Sequence, residues 1–249
     1  MRITKQIGIS LGAAVALPVL TLGWLIQSHH FQWTGTLIAR GVTSEKKIAL
    51  TFDDGPSART PEILRILNQT RSRATFFLVG REMQRHPDWT RAIVAAGHEI
   101  GNHSWSHPHL IFKSQTELAA QIEATDAVIR AVGQPGPILF RPPYGQKLLG
   151  LPAYLARHGR INLMWNLEPE YWPHERHDPQ ALTRRLMTQI QPGAIVLLHP
   201  MGNYSAAFEA LPILLQTLKR EGWQLVTASE LLRASGISLP SSPPHRSGF

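Results

Sequence analysis

The stretch KIALTFDDGP, from Lys47 to Pro56, runs from consecutive apolar residues into two adjacent carboxylates and a Gly-Pro pair. Apolar residues without alternation are typical of a parallel strand that is covered on both faces. A turn or a helix cap would explain one aspartate and the Gly-Pro pair, but it leaves the second aspartate unexplained. The stretch therefore predicts a buried parallel strand with a functional group at its carboxyl end.

Strand-like runs alternate with helix-like segments on both sides of this stretch. The runs are KIALTF, ATFFLVG, HEIGN, PILFRPP, INLMWNL, AIVLLHP and WQLVTA. The longest helical segment begins at Ser114, where Glu117 completes a capping box, and it stops near Gly133. Repeated βα units predict an α/β protein whose parallel sheet is an open doubly wound sheet or a closed barrel. No G-x-G-x-x-G motif follows the first strand, so nothing specific favours a nucleotide-binding open sheet.

The N-terminal region predicts a membrane anchor over residues 1–26. Residues 7–26 carry no charge, and 20 residues are enough to cross a bilayer core as a helix. Arg2 and Lys5 precede this segment, which favours a cytoplasmic N-terminus and places the rest of the chain outside the cytoplasm, in the periplasm or at the cell surface. A cleaved signal peptide is the alternative, because Ala14-Val15-Ala16 resembles a cleavage site, and the protein would then be secreted.

The remaining sequence divides into three parts. Residues 27–43 have no clear period and are expected to form a spacer, and residues 44–232 to form a single α/β domain. Residues 233–249 are rich in Ser and Pro and are expected to be a disordered tail. The oligomeric state is left open.

Composition excludes several kinds of site. The chain of 249 residues has no cysteine, which excludes disulfides and thiolate ligands, so that any metal must be held by His and carboxylates. The net charge is +8, but the basic residues are scattered and no basic helix or nucleic-acid motif is present. The charge therefore favours a solvated face or attraction to an anionic envelope, and no nucleic-acid partner is expected.

Polar residues follow four of the predicted strands, at the end where such folds collect their chemistry. They are Asp53 and Asp54, His103, Arg141 and His199. His103 and His107 are four residues apart, so that on a helical turn both imidazoles could share a metal. Ser104 stands where the HExxH motif has its glutamate, so a base must come from elsewhere. Adjacent aspartates can supply it, because successive side chains of a strand alternate in direction: one can bind a cation while the other faces a water.

Four motifs in this order, TFDDGP, HSWSHP, RPPYG and LLH, resemble those of the polysaccharide deacetylase family, also called the NodB homology or carbohydrate esterase 4 family. The resemblance covers roughly residues 44–230. It implies a distorted (β/α) barrel of about seven units and a divalent metal ion, usually zinc, with cobalt or another divalent ion as an alternative. The implied activity is removal of N-acetyl groups from GlcNAc-containing poly- or oligosaccharides, of the chitooligosaccharide or peptidoglycan type.

The same resemblance implies a role for each motif residue. Asp54, His103 and His107 bind the metal, and Asp53 is the general base that takes a proton from the attacking water. Arg141 pairs with Asp53 and orients it, whereas His199 protonates the leaving amine. A backbone N–H near Tyr144 helps to hold the oxyanion. The implied residues are therefore catalytic Asp53, His199 and Arg141 and metal-binding Asp54, His103 and His107.

One motif departs from the family pattern. An Asp-Trp dipeptide is expected after the fifth strand, where its aspartate supports the general-acid histidine, but this chain has Tyr171 followed by Trp172. Glu168 or Glu170 is an alternative support. The departure leaves open a weakly active or inactive metal-containing carbohydrate-binding domain. An O-acetyl xylan esterase or a deformylase of lipid-linked sugars is a further alternative.

Substrate contacts are predicted from residues near these motifs. Tyr144 and Trp172 are the main candidates to stack on sugar rings, with Pro143 beside Tyr144. Trp105 and Trp165 are weaker candidates for the same role. The His29-His30 pair in the spacer is not expected to bind a metal.

Overall fold

The structure is a computed structural model that describes residues 16–175, 177–202 and 205–240. Its strands are β1 (Thr36–Ile38), β2 (Lys47–Gly55), β3 (Thr75–Leu78), β4 (Glu99–Asn102), β5 (Ile161–Leu163), β6 (Ile195–Leu198) and β7 (Gln224–Val226). Its helices are α1 (Thr60–Thr70), α2 (Gly80–Arg85), α3 (Pro87–Ala95), α4 (Gln115–Ala131), α5 (Gly150–Arg157), α6 (Pro179–Gln189), α7 (Ser205–Arg220) and α8 (Ala228–Ala234). Short 3₁₀ turns occupy Pro143–Gly145 and Pro169–Tyr171, and residues 16–27 are also helical.

The strands form a distorted barrel in which all pairings between named strands are parallel. β2 pairs with β3, β6 and β7, β3 pairs with β4, and β1 pairs with β5. Single bridges from Asn102 to Phe140, from Phe140 to Asn162 and from Leu167 to Val196 link β4 through β5 to β6. These bridges complete the ring, so the predicted α/β fold with parallel strands is confirmed.

Alternation along β2 determines which way the side chains at its carboxyl end point. Ile48, Leu50 and Phe52 pack in the apolar cluster that β2 shares with α1 and α7. Ala49 belongs to a second cluster with residues of β3, β5 and β6. Thr51 and Asp53, on the same face as Ala49, bind a guanidinium inside the barrel. The period of two therefore turns Asp53 toward the barrel interior at the mouth.

The fourth predicted strand, PILFRPP, is reduced to a single residue of sheet. Phe140 bridges Asn102 and Asn162, but the flanking residues make no ladder among the described residues. Pro137, Pro142 and Pro143 have no N–H to donate, which limits pairing to the short stretch between them. The prediction of a full strand at this position was wrong, although the position of the segment in the barrel was right.

The packed structure extends beyond the expected domain limits of residues 44–232. Residues 36–38 of the expected spacer form β1, and Ile38 and Ala39 are buried. In the expected tail, Ile237 and Leu239 pack on the cluster that contains α8. Both segments carry apolar residues that cover the barrel, so residues 36–39 and 235–240 are part of the domain; residues 241–249 lie outside the described residues.

The predicted N-terminal anchor is only partly within the described chain. Residues 1–15, with Arg2, Lys5 and most of the possible cleavage site, lie outside the described residues. Within the described ranges, none of the helices has the length and apolar character required to span a bilayer. Helical residues 16–27 expose several large apolar side chains, among them Leu17, Leu20 and Trp24.

Candidate active site

Asp53 and Asp54 lie at the carboxyl end of β2, where a β-bulge interrupts the pairing with β3. The register shifts between Asp53 and Gly55, and Asp54 has a φ of 72°, in the left-handed region. The bulge replaces the simple alternation that the sequence predicts at this pair. Both carboxylates approach one imidazole nitrogen: His103 Nε2 lies 3.6 Å from Asp53 Oδ2 and 3.5 Å from Asp54 Oδ1. The Asp53 side chain is buried, whereas 38% of the Asp54 side chain is exposed.

His103 and His107 lie in an irregular loop after β4, and the expectation of a helical turn was wrong. Ser104 and His107 have left-handed φ angles of 66° and 59°. The Ser104 N–H donates to Asn102 Oδ1, and the His107 N–H donates to Ser104 Oγ. These bonds fold the loop back on itself and bring the two imidazole rings to a centroid distance of 4.9 Å. The loop holds strained backbone angles where the histidines need to converge.

Asp54, His103 and His107 form a donor set that fits a divalent metal ion. Their donor atoms all lie within 4.8 Å of one another, with Asp54 Oδ1 3.1 Å from His107 Nε2 and 3.5 Å from His103 Nε2. Two donors that each bind a tetrahedral zinc ion at ~2.1 Å are ~3.4 Å apart, close to these spacings. Two imidazoles and one carboxylate are also a donor set that zinc uses in catalytic sites. The described residues therefore contain a set of donors that could hold a metal ion, at the position that the motifs predict.

The tautomer of His103 is fixed by its second nitrogen. His103 Nδ1 lies 2.8 Å from the carbonyl oxygen of Arg141, which can only accept a hydrogen bond. Nδ1 must therefore carry the proton, so Nε2 is the nitrogen that would bind a metal ion, the arrangement that orients metal-binding histidines. Burial alone would raise the pKa of Asp54, but hydrogen bonds from His103 and His107 outweigh burial and hold this pKa far below its usual range.

Arg141 is fully buried and fixes Asp53 from behind. Nη1 donates to Asp53 Oδ1 and to Thr51 Oγ1, both at 2.8 Å. Nε and Nη2 donate to the carbonyl oxygens of Leu163 and Met164. Burial lowers the pKa of Arg141 below its usual value, and the adjacent Asp53 opposes that shift. A buried cation with its N–H groups bound in this way is a rigid partner that holds the Asp53 carboxylate in one orientation.

His199 follows β6 and is held by Glu170 through both its backbone and its ring. The His199 N–H donates to Glu170 Oε1, and Nδ1 lies 2.6 Å from Glu170 Oε2. Burial alone would lower the pKa of His199, but the Glu170 carboxylate, with contributions from Asp53 and Asp54, raises it to about 9. The histidine is therefore an imidazolium at neutral pH. Of the supports that the sequence leaves open, Glu170 is in direct contact with His199.

Glu168 takes a different position, in the wall of the cavity. Its Oε2 accepts a hydrogen bond of 2.7 Å from Trp165 Nε1. Burial, together with repulsion from Asp53 and Glu170, raises the pKa of Glu168 to about 7, although attraction to His199 opposes the shift. Glu168 therefore titrates near neutrality inside the site, and Tyr171 lines the same cavity.

These groups converge on one cavity of about 360 Å³. It is lined by Gln27, His29, Asp53, Asp54, His103, His107, Tyr144, Gly145, Trp165, Glu168, Tyr171, Leu197 and His199. Arg141 lies behind this lining, in contact with Asp53. The motif residues that the sequence singles out as metal ligands, base and acid are thus brought together.

The predicted substrate contacts are only partly brought to the cavity. Tyr144 lines it, is half exposed, and stacks on His109 at a centroid distance of 4.2 Å. Trp165 also lines it, whereas Pro143 is buried and absent from the described lining. Trp172 is absent from the described lining; it is partly buried against the apolar core and lies under the guanidinium of Arg185, 4.6 Å away, and its role at the sugar site stays a prediction.

Gln27 and His29 are part of the cavity wall, and the sequence did not identify them. They come from the segment expected to be a spacer, which carries no motif and no periodic pattern. Only the folded chain places residues 27–29 next to residues 144–165. No sequence signal could have found them.

Comparisons with known proteins agree with this geometry. A family model described as polysaccharide deacetylase matches residues 40–160. The peptidoglycan-N-acetylmuramic acid deacetylase PdaC of Bacillus subtilis is 36% identical over 190 residues, which cover 76% of this chain and 39% of PdaC. A peptidoglycan-N-acetylglucosamine deacetylase of Bacillus cereus is 35% identical, and the match covers 80% of this chain and 94% of that protein.

A solved structure gives the same result at the level of the fold. The Bc1960 peptidoglycan N-acetylglucosamine deacetylase superposes with a TM-score of 0.73 and 28% sequence identity, over 82% of this chain and 94% of that chain. The chain spans about two fifths of PdaC but nearly all of the Bacillus cereus relative. Motif order, barrel topology and these similarities together show that the chain belongs to the polysaccharide deacetylase family of hydrolases.

Proposed function

We propose that this protein is a metal-dependent hydrolase that removes N-acetyl groups from GlcNAc-containing poly- or oligosaccharides. The observation that carries the proposal is the joint placement, in one cavity, of a three-residue donor set, a buried carboxylate and a histidine that is bound by Glu170. The relatives named above act on peptidoglycan, which favours a glycan of peptidoglycan type over a chitooligosaccharide.

Asp54, His103 and His107 would hold the ion, and zinc suits this donor set best. A divalent cation held there would lower the pKa of water from 15.7 to ~7 and polarise the amide carbonyl. Cobalt or another divalent ion could bind the same three donors. With three protein ligands, coordination positions stay open for water and substrate, as in catalytic zinc sites.

Asp53 is placed to act as the general base. Its Oδ1 is held by Arg141, which leaves Oδ2 directed at the donor set, 3.6 Å from His103 Nε2. A carboxylate in this position can accept the proton of a water that attacks the amide carbon. Arg141 keeps the carboxylate in this orientation as a positioning residue. The role of a backbone N–H near Tyr144 as the second donor to the oxyanion stays a prediction.

His199 is placed to act as the general acid. Its Nδ1–H is directed at Glu170, so Nε2 is the ring nitrogen that can deliver a proton to the leaving amine. A pKa of about 9 keeps the imidazole protonated at neutral pH, as an acid requires. Glu170 thus supplies the carboxylate that the dipeptide at Tyr171 lacks. This contact weighs against the alternative of an inactive carbohydrate-binding domain.

We also propose that the N-terminus anchors the protein in a membrane, with the catalytic domain in the periplasm or at the cell surface. Support comes from the uncharged segment over residues 7–26 and the basic residues before it. Cleavage of this segment would instead give a secreted enzyme. Fractionation of cells that express the full chain, with protease added from outside, tests the location.

Acetate release by the purified full chain tests the activity. The substrates are GlcNAc oligomers, peptidoglycan fragments and acetylated xylan, each assayed before chelation, after chelation and after return of Zn²⁺ or Co²⁺. We expect acetate from the GlcNAc-containing substrates, loss of activity on chelation and recovery with metal. Acetate from xylan alone would favour the esterase alternative, and formate from formylated lipid-linked sugar would favour the deformylase. Glycan binding without any released acid would favour the binding domain.

A further inference from the structure

Residues 26–33, here named the strap, cross the mouth of the barrel before β1 begins. Gln27 and His29 of the strap line the same cavity as the candidate metal ligands. The family model matches residues 40–160, so the strap lies outside the matched part of the chain. The cavity therefore has one wall that the family motifs do not supply.

The strap is held to the barrel by a buried lysine. Lys147 is 1% exposed, and its ammonium donates a hydrogen bond to the carbonyl oxygen of Ser28. The Lys147 N–H donates to the carbonyl oxygen of Ile26 at 3.1 Å. Burial lowers the pKa of Lys147 to about 8. Burying an ammonium is unfavourable unless it is bound, so the strap carbonyl is an essential partner of this side chain.

Two further contacts fix the far end of the strap. Asn162 Nδ2 donates to Gln32 Oε1 at 3.0 Å, and Trp33 Nε1 donates to the carbonyl oxygen of Leu149 at 3.1 Å. Asn162 belongs to β5 and Leu149 to the loop before α5. The strap is therefore attached at both ends to rigid parts of the barrel, and the residues between them have a defined position.

The His29 side chain of the strap packs against Trp165, another residue of the cavity wall. Its ring is 4.2 Å from the Trp165 ring, centroid to centroid, at an angle of 51°. A Cβ at Gly145 would lie 3.3 Å from His29 Nε2 and 2.9 Å from Trp165, and Gly145 has a φ of +65°. Glycine thus permits the close approach of this ring.

The His29 ring has hydrogen-bonding capacity to spare. No described residue hydrogen-bonds to its nitrogens, although the ring is half-buried and faces the cavity. Burial and the nearby Lys147 lower the pKa of His29 to about 4, so the ring is neutral. A neutral imidazole has one donor and one acceptor, which match the hydroxyl groups of a sugar.

We propose that the strap is a substrate-binding wall of the cavity, in which His29 and Gln27 hydrogen-bond to hydroxyl groups of the bound N-acetylated sugar. This proposal rests on the proposed function, since it places the acetamido group of the same sugar at the Asp54, His103 and His107 donor set. His29 and Gln27 determine which glycan fits, and Lys147 is the positioning residue that holds them.

The test compares His29→Ala with His30→Ala in the full chain loaded with Zn²⁺. His30 is the adjacent histidine, it is exposed, and it is absent from the described cavity lining. We expect His29→Ala to raise KM for GlcNAc oligomers by about 3- to 10-fold, with kcat changed less than about twofold, as for loss of a neutral hydrogen bond. His29→Gln should recover part of the loss, and His30→Ala should match the unmodified chain.

Direct binding separates this proposal from the proposed function. Titration of a GlcNAc oligomer into the Zn²⁺-loaded full chain carrying Asp53→Asn, with and without His29→Ala and followed by NMR, gives Kd without turnover of the oligomer. If acetate is never released but His29→Ala still weakens glycan binding, the proposed activity is contradicted and the proposed substrate-binding role of the strap is supported. Unchanged KM and Kd in His29→Ala would contradict the proposed substrate-binding role of the strap. A loss of bound zinc in this variant would also contradict it, because His29 would then be a metal ligand.

Lys147→Met is the second variant, because it removes the ammonium and retains the buried stem. We expect it to raise KM to the same extent as His29→Ala, and the double variant to be no worse than either single variant. Additive effects would show that Lys147 acts elsewhere and would overturn its role in holding the strap. Circular dichroism of each variant checks that the barrel is folded.

Discussion

The two sides of the cavity differ in how the chain builds them. The metal-ligand side, with Asp53, Asp54, His103, His107 and Arg141, is formed by residues at or directly after β2, β4 and the bridge at Phe140. The proton-donor side, with Glu168, Glu170 and His199, depends on a loop between β5 and α6 that meets the end of β6. Strand ends fix most of the metal-ligand side through the barrel, with His107 added by the short loop after β4, whereas a longer loop fixes the proton-donor side through individual hydrogen bonds. Changes on the two sides should therefore have different consequences.

The largest effect is expected on the metal-ligand side, from His103→Ala. This ring is fully buried, and its Nε2 is one of three donors, so its loss should remove the ion and reduce kcat/KM by at least ~10³. Metal content by mass spectrometry and acetate release measure the two results. The control is His158→Ala, which changes an exposed histidine directly after α5 and should retain both the bound metal and the activity. Full metal content in His103→Ala would contradict the assigned donor set.

A second change on this side should separate the base from the ligands. Asp53→Asn keeps an oxygen for Arg141 but removes the proton acceptor, so we expect a fall in kcat of ~10²–10⁴ while the ion stays bound. The loss of the ion pair beneath the cavity should also lower the melting temperature. Metal analysis, acetate release and thermal unfolding are measured on the same sample. Loss of the ion would place Asp53 among the ligands instead.

On the proton-donor side, Glu170→Gln should change the pH profile. An acid must be protonated, so activity falls as the pH rises through the pKa of His199, about 9. Without the Glu170 charge that pKa should fall toward its ordinary value of 6.5, and the alkaline limb should move to lower pH. We expect a fall of ~10-fold in kcat at pH 8, within the range for general-acid catalysis.

Tyr171→Phe is the matched control for this shift, because Tyr171 occupies the position where the family pattern has its aspartate. The alkaline limb should stay in place in Tyr171→Phe and move only in Glu170→Gln. If the alkaline limb moved in Tyr171→Phe and stayed in place in Glu170→Gln, Tyr171 would be the residue that supports His199. The raised pKa also contributes stability that is fully present below pH 6.5 and is lost as the pH rises through about 9.

The smallest effect is expected far from both sides, at the start of α4. Ser114 and Glu117 form a reciprocal capping box, so Ser114→Ala should lower the free energy of unfolding by ~1 kcal/mol without changing kcat/KM. Thr116→Ala, at an exposed position in the same first turn, is the control and should change the free energy of unfolding by less than ~0.5 kcal/mol. Denaturant unfolding measures both, and a change in activity in Ser114→Ala would show that the helix start is coupled to the cavity.

The local sequence predicted those features that depend on a single helix or strand. The capping box predicted at Ser114 is present, and the helix α4 that it starts ends at Ala131, close to the predicted stop near Gly133. Strand period turns Asp53 inward, as alternation requires. In contrast, the loop after β4 is not helical, because two left-handed residues and the Ser104 hydroxyl set its path. Such side-chain bonds compete with helix formation and are hard to predict from spacing alone.

The sequence by itself determined the parallel βα order, the strand ends and the residue types of the metal-ligand side, because these depend on periodicity and on neighbours in the chain. Only the tertiary structure decided that Glu170 contacts His199, that Trp172 packs against the core, and that His29 lines the cavity. Glu170 and His199 are 29 residues apart, and their contact depends on the path of a loop rather than on a repeat. Contacts of this kind are set by packing of the whole barrel, which no local pattern encodes.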